Sequence, residues 1–231
     1  MASESVFNKK LAAETNMDKV EGLLEHFNLP PKVIDFIRLN QRILQIAGAV
    51  IVVGVVFWSL YGSYREGVRE EASTALSTAL QADKASQAEA LRGVVDKYAG
   101  TSSALWARVE LGHLDMNNGS YGDAAKKYTE VLADVKAANP LYPLVLFGLA
   151  QALEGEKRYA EASKQYDLLK NIKEYEQIAY AGMGRIEETQ GNTDKAIAIY
   201  NDYLLFMGQN AAYAADQAEI KAKIARLTAQ K

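Results

Sequence analysis

Between Arg42 and Arg65 the chain carries 22 consecutive residues without a charge, ILQIAGAVIVVGVVFWSLYGSY. No other feature limits the possible folds as strongly. At ~1.5 Å per residue, a helix over Ile43–Tyr64 spans roughly 33 Å, close to the hydrocarbon thickness of a bilayer. Its apolar positions run right round the helix, whereas a helix on the surface of a globular domain keeps a polar stripe. Trp58, Tyr61 and Tyr64 gather at one end, where aromatic rings suit a membrane–water boundary. Gln45 and Ser59 are polar but stand toward the ends. The alternatives are a buried core helix and a signal peptide. Against the second, 42 residues precede the run and no small-residue cleavage motif follows it cleanly.

Basic residues near the run set its expected orientation. Lys32, Arg38 and Arg42 lie before it, Arg65 and Arg69 just after it. The excess favours a cytoplasmic N-terminus. The sequence therefore divides into a cytoplasmic leader (1–42), a transmembrane helix (43–64) and an extracytoplasmic remainder (65–231). In the leader, Asn16 is placed to cap a short helix from Met17 to about Phe27, with Val20, Leu23, Leu24 and Phe27 on one face. Leu29-Pro30-Pro31 stops that helix, and a proline in the first turn suits a new one beginning near Pro31. The leader reads equally as a docking element for a membrane partner or as an amphipathic segment lying on lipid headgroups.

The remainder is helical in composition and repetitive in pattern. There are four prolines, and Ala, Leu, Lys, Glu and Gln abound. Three segments align: LGHLDMNNGSYGDAAKKY from Leu111, LAQALEGEKRYAEASKQY from Leu149 and MGRIEETQGNTDKAIAIY from Met183. Their small anchors Ala124, Ala162 and Ala196 are 38 and then 34 residues apart, as are Tyr128, Tyr166 and Tyr200. A tetratricopeptide (TPR) unit of two antiparallel helices has a period of about 34 residues. The extra four residues are expected around Ala137-Ala138-Asn139-Pro140. Small residues let paired backbones approach, and the tyrosines fill the space between units. Gly119 and Gly191 fall where each first helix must end. Stacking is obligatory, because one repeat cannot bury its own apolar face. The expected fold is all-α: a single transmembrane helix followed by a TPR-type right-handed solenoid. Within it, 65–104 form a helical linker and a degenerate first repeat, 105–205 three TPR-like repeats, and 206–231 a capping helix with a polar outer face.

The order of leader, span, alanine-rich helix and repeats resembles the bacterial YfgM-type TPR proteins, ancillary subunits of the SecYEG translocon. The phrase Tyr98-Ala99-Gly100-Thr101-Ser102-Ser103-Ala104-Leu105-Trp106-Ala107 is similar to theirs at Tyr98, Thr101, Ala104, Leu105 and Ala107. The resemblance covers roughly residues 30–205, and a related TPR domain belongs to the cell-division coordinator CpoB. The long leader and the 38-residue first spacing depart from the family pattern. The resemblance implies a bacterial inner-membrane protein with a periplasmic TPR domain, partnered by the SecYEG translocon and by periplasmic chaperones or exported clients.

Catalytic chemistry is not legible in this chain. With no cysteine there are no thiolate nucleophiles, disulfides or zinc–thiolate sites. His26 and His113 lie on opposite sides of the expected span and cannot form one site. Gly182-x-Gly184 sits inside a helical repeat instead of after a strand, which excludes a phosphate-binding loop on context. Glu70-Glu71 and Glu187-Glu188 read as solvated helix faces. With 26 basic and 29 acidic residues, there is no basic face for nucleic acid. The expectation is a non-enzyme with no cofactor, no metal, no nucleic acid and no small-molecule substrate.

The candidate site is instead a concave wall made by the first helix of each repeat. Repeat one contributes Trp106, Val109, His113, Met116 and Asn117. Repeat two adds Leu144, Phe147, Gln151 and Glu154, and repeat three Ile178, Arg185 and Glu188. Aromatic and methionine side chains suit an adaptable protein-binding surface. Trp106, Leu144 and Ile178 could instead pack against the preceding helix. The basic ladder with which some TPR domains clamp a C-terminal carboxylate is missing at these positions. The expected function is a membrane-anchored scaffold for protein partners at the translocon. The competing reading is an envelope or cell-division scaffold that tethers partners without handling exported clients.

Overall fold

A computed structural model describes residues 30–209 and 213–230. The expected helix over residues 17–27 and His26 lie outside the described residues. Pro31 opens helix α1 (Pro31–Leu39), as its fixed φ allows. Asn40 ends it, its side-chain amide donating to the Phe36 carbonyl at 3.0 Å. Next comes α2, 40 residues from Gln41 to Leu80. Its most apolar window has a mean hydropathy of 2.4 and is wholly unburied. By length and composition, this helix can cross a membrane.

The chain divides into two compact units at Arg65/Glu66. In the second unit the Glu66–Leu80 stretch of α2 contributes Ala72 and Ala79 to an apolar cluster with Leu91, Val94 and Tyr98. These come from α3 (Lys84–Lys97) and its C-terminal cap. Ala107 and Leu111 of α4 (Ser102–Asn117) complete the cluster. Thr101 caps α4, its hydroxyl accepting from the Ala104 amide at 3.2 Å.

Three helix pairs follow. They are α4 with α5 (Tyr121–Asp134), α6 (Leu141–Gly155) with α7 (Tyr159–Leu169), and α8 (Glu176–Thr189) with α9 (Thr193–Met207). Each helix packs on the next, and α4 also touches α6. One continuous core runs from Val109 through Tyr128, Val145 and Tyr166 to Ile186. Helix α10 (Ala214–Ala229) closes the series, burying Ile220 and Leu227 against Tyr200, Tyr203 and Met207.

The four extra residues of the first spacing are not in the connection around Ala137–Pro140. The segments joining α5 to α6 and α7 to α8 are equally long. The length is absorbed in the helices, α5 having 14 residues against 11 in α7, and α6 having 15 against 14 in α8. The longer α5 reaches Val135, which is buried where the extra turn ends. A polar loop would have gained no such contact.

The first helix of every pair ends in the same way. Ser120 donates its amide to the Asp115 carbonyl, Arg158 to Leu153 and Asn192 to Glu187, each at 2.8 Å. This six-to-one bond needs a left-handed residue just before it. Gly119 and Gly191 supply it, both at φ +75°. In the middle repeat, Lys157 holds the same conformation at φ 61°. A side chain there works against its own Cβ. Lys157→Gly is therefore expected to raise stability by about 0.5–1 kcal/mol. Thermal melts check this, and a lowered midpoint would refute the strain argument.

Candidate protein-interaction groove

The wall is organised by the three repeated tyrosines. Tyr128, Tyr166 and Tyr200 are almost wholly buried and lie between neighbouring first helices. Glycines make room for them. A Cβ on Gly112 or Gly148 would stand 2.8 Å from the Tyr128 ring, one on Gly182 2.5 Å from Tyr166, and one on Gly184 2.4 Å from Tyr200. A van der Waals contact needs well over 3 Å, so each ring occupies space that only glycine leaves free.

Two of the hydroxyls are built into charged networks on the wall. Tyr166 Oη donates to Glu154 Oε2 at 3.1 Å and accepts from Arg185 Nη2 at 3.1 Å. Arg185 also grips Glu154 through two bonds, Nε to Oε1 at 2.7 Å and Nη2 to Oε2 at 2.8 Å. In the last repeat Tyr200 donates to Glu188 Oε1 at 2.6 Å, and Arg226 of α10 donates to Glu188 Oε2 at 2.7 Å. Each network thus joins a tyrosine, the glutamate twelve residues before it and an arginine from a following helix. Burial, and then the Glu154 carboxylate, push the Tyr166 phenol well above its ordinary range. The bond to Glu154 likewise holds the Arg185 guanidinium above its usual value. Both groups keep their protons at any physiological pH.

Between the first two repeats lie two adjoining hollows. One, of about 610 Å³, is lined by Glu110, His113, Asn117, Tyr128, Leu144, Phe147 and Gly148 together with Met116, Tyr121 and Gln151. The other, of about 400 Å³, shares those last three residues and continues to Glu154, Gly155, Tyr159, Arg185 and Thr189. Together they form one groove crossing α4, α6 and α8. It brings together eight of the expected wall residues: His113, Met116, Asn117, Leu144, Phe147, Gln151, Glu154 and Arg185. Glu188 stands beside it in the Tyr200–Arg226 network.

Three residues are placed otherwise. Val109 is a correction. It is fully buried in the central core and presents nothing to a partner. It is displaced from the face carrying Trp106, Glu110 and His113, and that displacement turns it toward the neighbouring helices. Trp106 and Ile178 are 40% and 37% exposed. They stand two turns before His113 and Arg185 on the same helix faces, outside the lining of the groove. Leu144 is half-buried and lines the groove, while also packing on the core.

Second helices also contribute groove residues that repeat alignment does not assign to the wall, Tyr121, Tyr128 and Tyr159. Tyr121 and Tyr159 sit three residues before Ala124 and Ala162 and line the groove. Their repetition is the signal that could have found them. A separate hollow of about 460 Å³ opens between α5, α6 and α7 beside Lys126, Glu130 and Gln165. Arg158 at its edge is held by Glu156 and Glu161. Among the described residues no cluster of three His, Asp or Glu side chains could hold a metal ion.

Known proteins share this architecture. Residues 35–229 match the pattern of the tetratricopeptide repeat-like domain family. No curated protein sequence matches. A solved structure of nearly identical TPR-like repeats, from a Podosopora anserina chain designated a candidate kinesin light chain, superposes with a TM-score of 0.52 at 15% identity. The superposition covers 70% of this chain and 84% of that one. The Q17M form of the same repeats gives 0.47 at 15% identity, over 73% of this chain and 96% of that one. The family match and the first of these superpositions establish an all-helical TPR-like repeat fold.

Proposed function

The chain belongs to the tetratricopeptide repeat-like domain family, and on that footing we propose that it is a membrane-anchored scaffold whose groove holds protein partners. Repeats of this family are generally non-catalytic platforms for other proteins. The groove across α4, α6 and α8 is the observation that carries the reading. It offers apolar side chains (Met116, Leu144, Phe147) beside fixed polar groups (Glu154, Arg185) on rigid helices, which is how a protein-binding surface combines adhesion with orientation.

The family match starts at residue 35, ahead of the apolar run, so that run falls within the family's own pattern. Residues 43–64 serve in this reading as the single membrane span. The excess of basic residues before it supports a cytoplasmic N-terminus with the repeats on the other side, and the YfgM-type resemblance makes that membrane a bacterial inner membrane and that side the periplasm. The YfgM-like phrase around Tyr98–Ala107 makes the SecYEG translocon the preferred membrane partner. Periplasmic chaperones or exported clients are then the occupants of the groove.

Crosslinking in living cells tests this. A photoactivatable residue at Gln151 is expected to capture translocon-associated or exported chains, whereas one at Lys164, exposed on α7, is not. Phe147→Ala should reduce the Gln151 adducts about tenfold or more, since truncating a true aromatic anchor costs ~2 kcal/mol. Equal capture from both faces would sink the groove assignment.

A further inference from the structure

The charged networks of repeats two and three have no counterpart in repeat one, and the difference is visible position by position. Twelve residues before each tyrosine stand Glu154 and Glu188, but in repeat one the residue is Met116. The position of Arg185 is occupied in repeat two by Gln151, since each lies eleven residues before its alanine anchor. Tyr128 therefore meets neither the carboxylate nor the guanidinium that Tyr166 engages. Its Oη is, among the described residues, the one buried side-chain polar atom without a hydrogen-bond partner. An unmet buried hydroxyl costs about 1–3 kcal/mol. The Tyr128 side chain lines the 610 Å³ hollow, within the groove assigned above, with Oη itself just beneath the surface.

We propose that Tyr128 is the groove's polar recognition point, donating its proton to an uncharged acceptor on an extended peptide, foremost a backbone carbonyl, whose apolar side chain lodges among Met116, Leu144 and Phe147. This rests on the groove being a protein-binding site and adds what it selects. Charge decides the chemistry of the occupant. Glu110 lines the same hollow, at 3.3 Å from the His113 ring, and Asp115, bonded to Lys127, lies on the same helix. Both carboxylates act on the Tyr128 phenol, which burial already holds in its protonated form. A further anion brought to this hydroxyl would be repelled, whereas a neutral carbonyl would accept its hydrogen bond freely. Arg185 is a weak lure for an acidic tail, because the Glu154 carboxylate bonded to its Nε and Nη2 already balances its charge. The peptide reaches Oη by displacing the long, unbranched Met116 and Gln151 side chains, which yield more readily than the helices around them.

The test uses the full chain in detergent and three fluorescent ten-residue peptides of Leu, Phe, Ser and Gly. One is acetylated and amidated, one ends in Asp-Glu and one in Arg-Arg. The capped neutral peptide is expected to bind at least about fivefold more tightly than the acidic one. Tyr128→Phe should weaken it about tenfold, the worth of one buried hydrogen bond. Met116→Gln supplies an in-chain acceptor of similar size and should weaken binding at least as much. Neither variant should lower the melting midpoint, whereas Tyr166→Phe, which removes a satisfied hydroxyl, should. If Tyr128→Phe bound like the original chain while Phe147→Ala lost binding, the groove would stand and the Tyr128 assignment would fall, a trapped water then serving the hydroxyl. Preference for the acidic peptide would overturn it too. Failure of all three peptides to bind would remove the groove reading itself, and this inference with it.

Discussion

Gly182→Leu is expected to lower stability by about 3 kcal/mol or more, because the side chain has nowhere to go. Even a Cβ at this position stands 2.5 Å from Cε1 and Cζ of the Tyr166 ring. That ring cannot retreat. It is fully buried, its hydroxyl is tied to Glu154 and Arg185, and Phe147 lies across it at 6.5 Å between centroids. In a domain of this size each kcal/mol moves the midpoint by ~2–4 °C, so a fall of roughly 6–12 °C is expected. Gly93 provides the opposite case. It lies mid-helix in α3 with nothing within 4 Å of a built Cβ. Gly93→Ala should therefore stabilise by about 0.5–1 kcal/mol, through the reduced freedom of the unfolded chain. Paired melts of the two variants check both signs. Tolerance of leucine at 182 would mean that the repeats do not stack as described.

The second large effect is a change of compartment. The full chain is expected to remain with membranes through an alkaline carbonate wash, and a chain lacking residues 43–64 to appear in the soluble fraction with its repeats folded. Among the described residues nothing covers the apolar window of α2, with 0% buried. Each residue such as Val, Ile or Phe contributes ~1.5–3 kcal/mol on leaving water, and the run carries more than a dozen apolar side chains. Replacing it by an unrelated 22-residue apolar span should restore membrane retention. It should leave capture at Gln151 in place, because the groove is built wholly from residues after Ser102. Release of the full chain by the wash would end the membrane reading. Protease access to the repeats from the cytoplasmic side would reverse the orientation.

Much of the groove is legible in the sequence, since first helices of stacked repeats present equivalent faces and eight of twelve expected residues line it. The misplacements have local causes. Repeat alignment alone puts Val109 on the wall, yet a small rotation about the helix axis separates a groove residue from a core residue. Trp106 and Ile178 share the correct faces but lie two turns short of where α4, α6 and α8 converge. The extra four residues suggest a loop because Asn139-Pro140 punctuates the sequence there. Val135 decides otherwise, since one more helical turn buries it.

Some of this protein follows from the chain's own periodicity. The charge-free run, the helix start at Pro31, the glycines that end first helices and the 34-residue spacing are local properties, fixed by φ preferences and by which side chains recur on one helix face. The tyrosine networks are different. Tyr166 meets a glutamate 12 residues before it and an arginine 19 residues after it, and Glu188 meets an arginine 38 residues on. Nothing in a repeat's own pattern states that a third helix will deliver that arginine. Only stacking decides whether a tyrosine hydroxyl finds a carboxylate, as Tyr166 and Tyr200 do, or is buried without a partner, as Tyr128 is. Helix formation is set within a few residues, whereas satisfying a buried polar group requires partners that the packing of separate helices alone can bring within hydrogen-bonding reach.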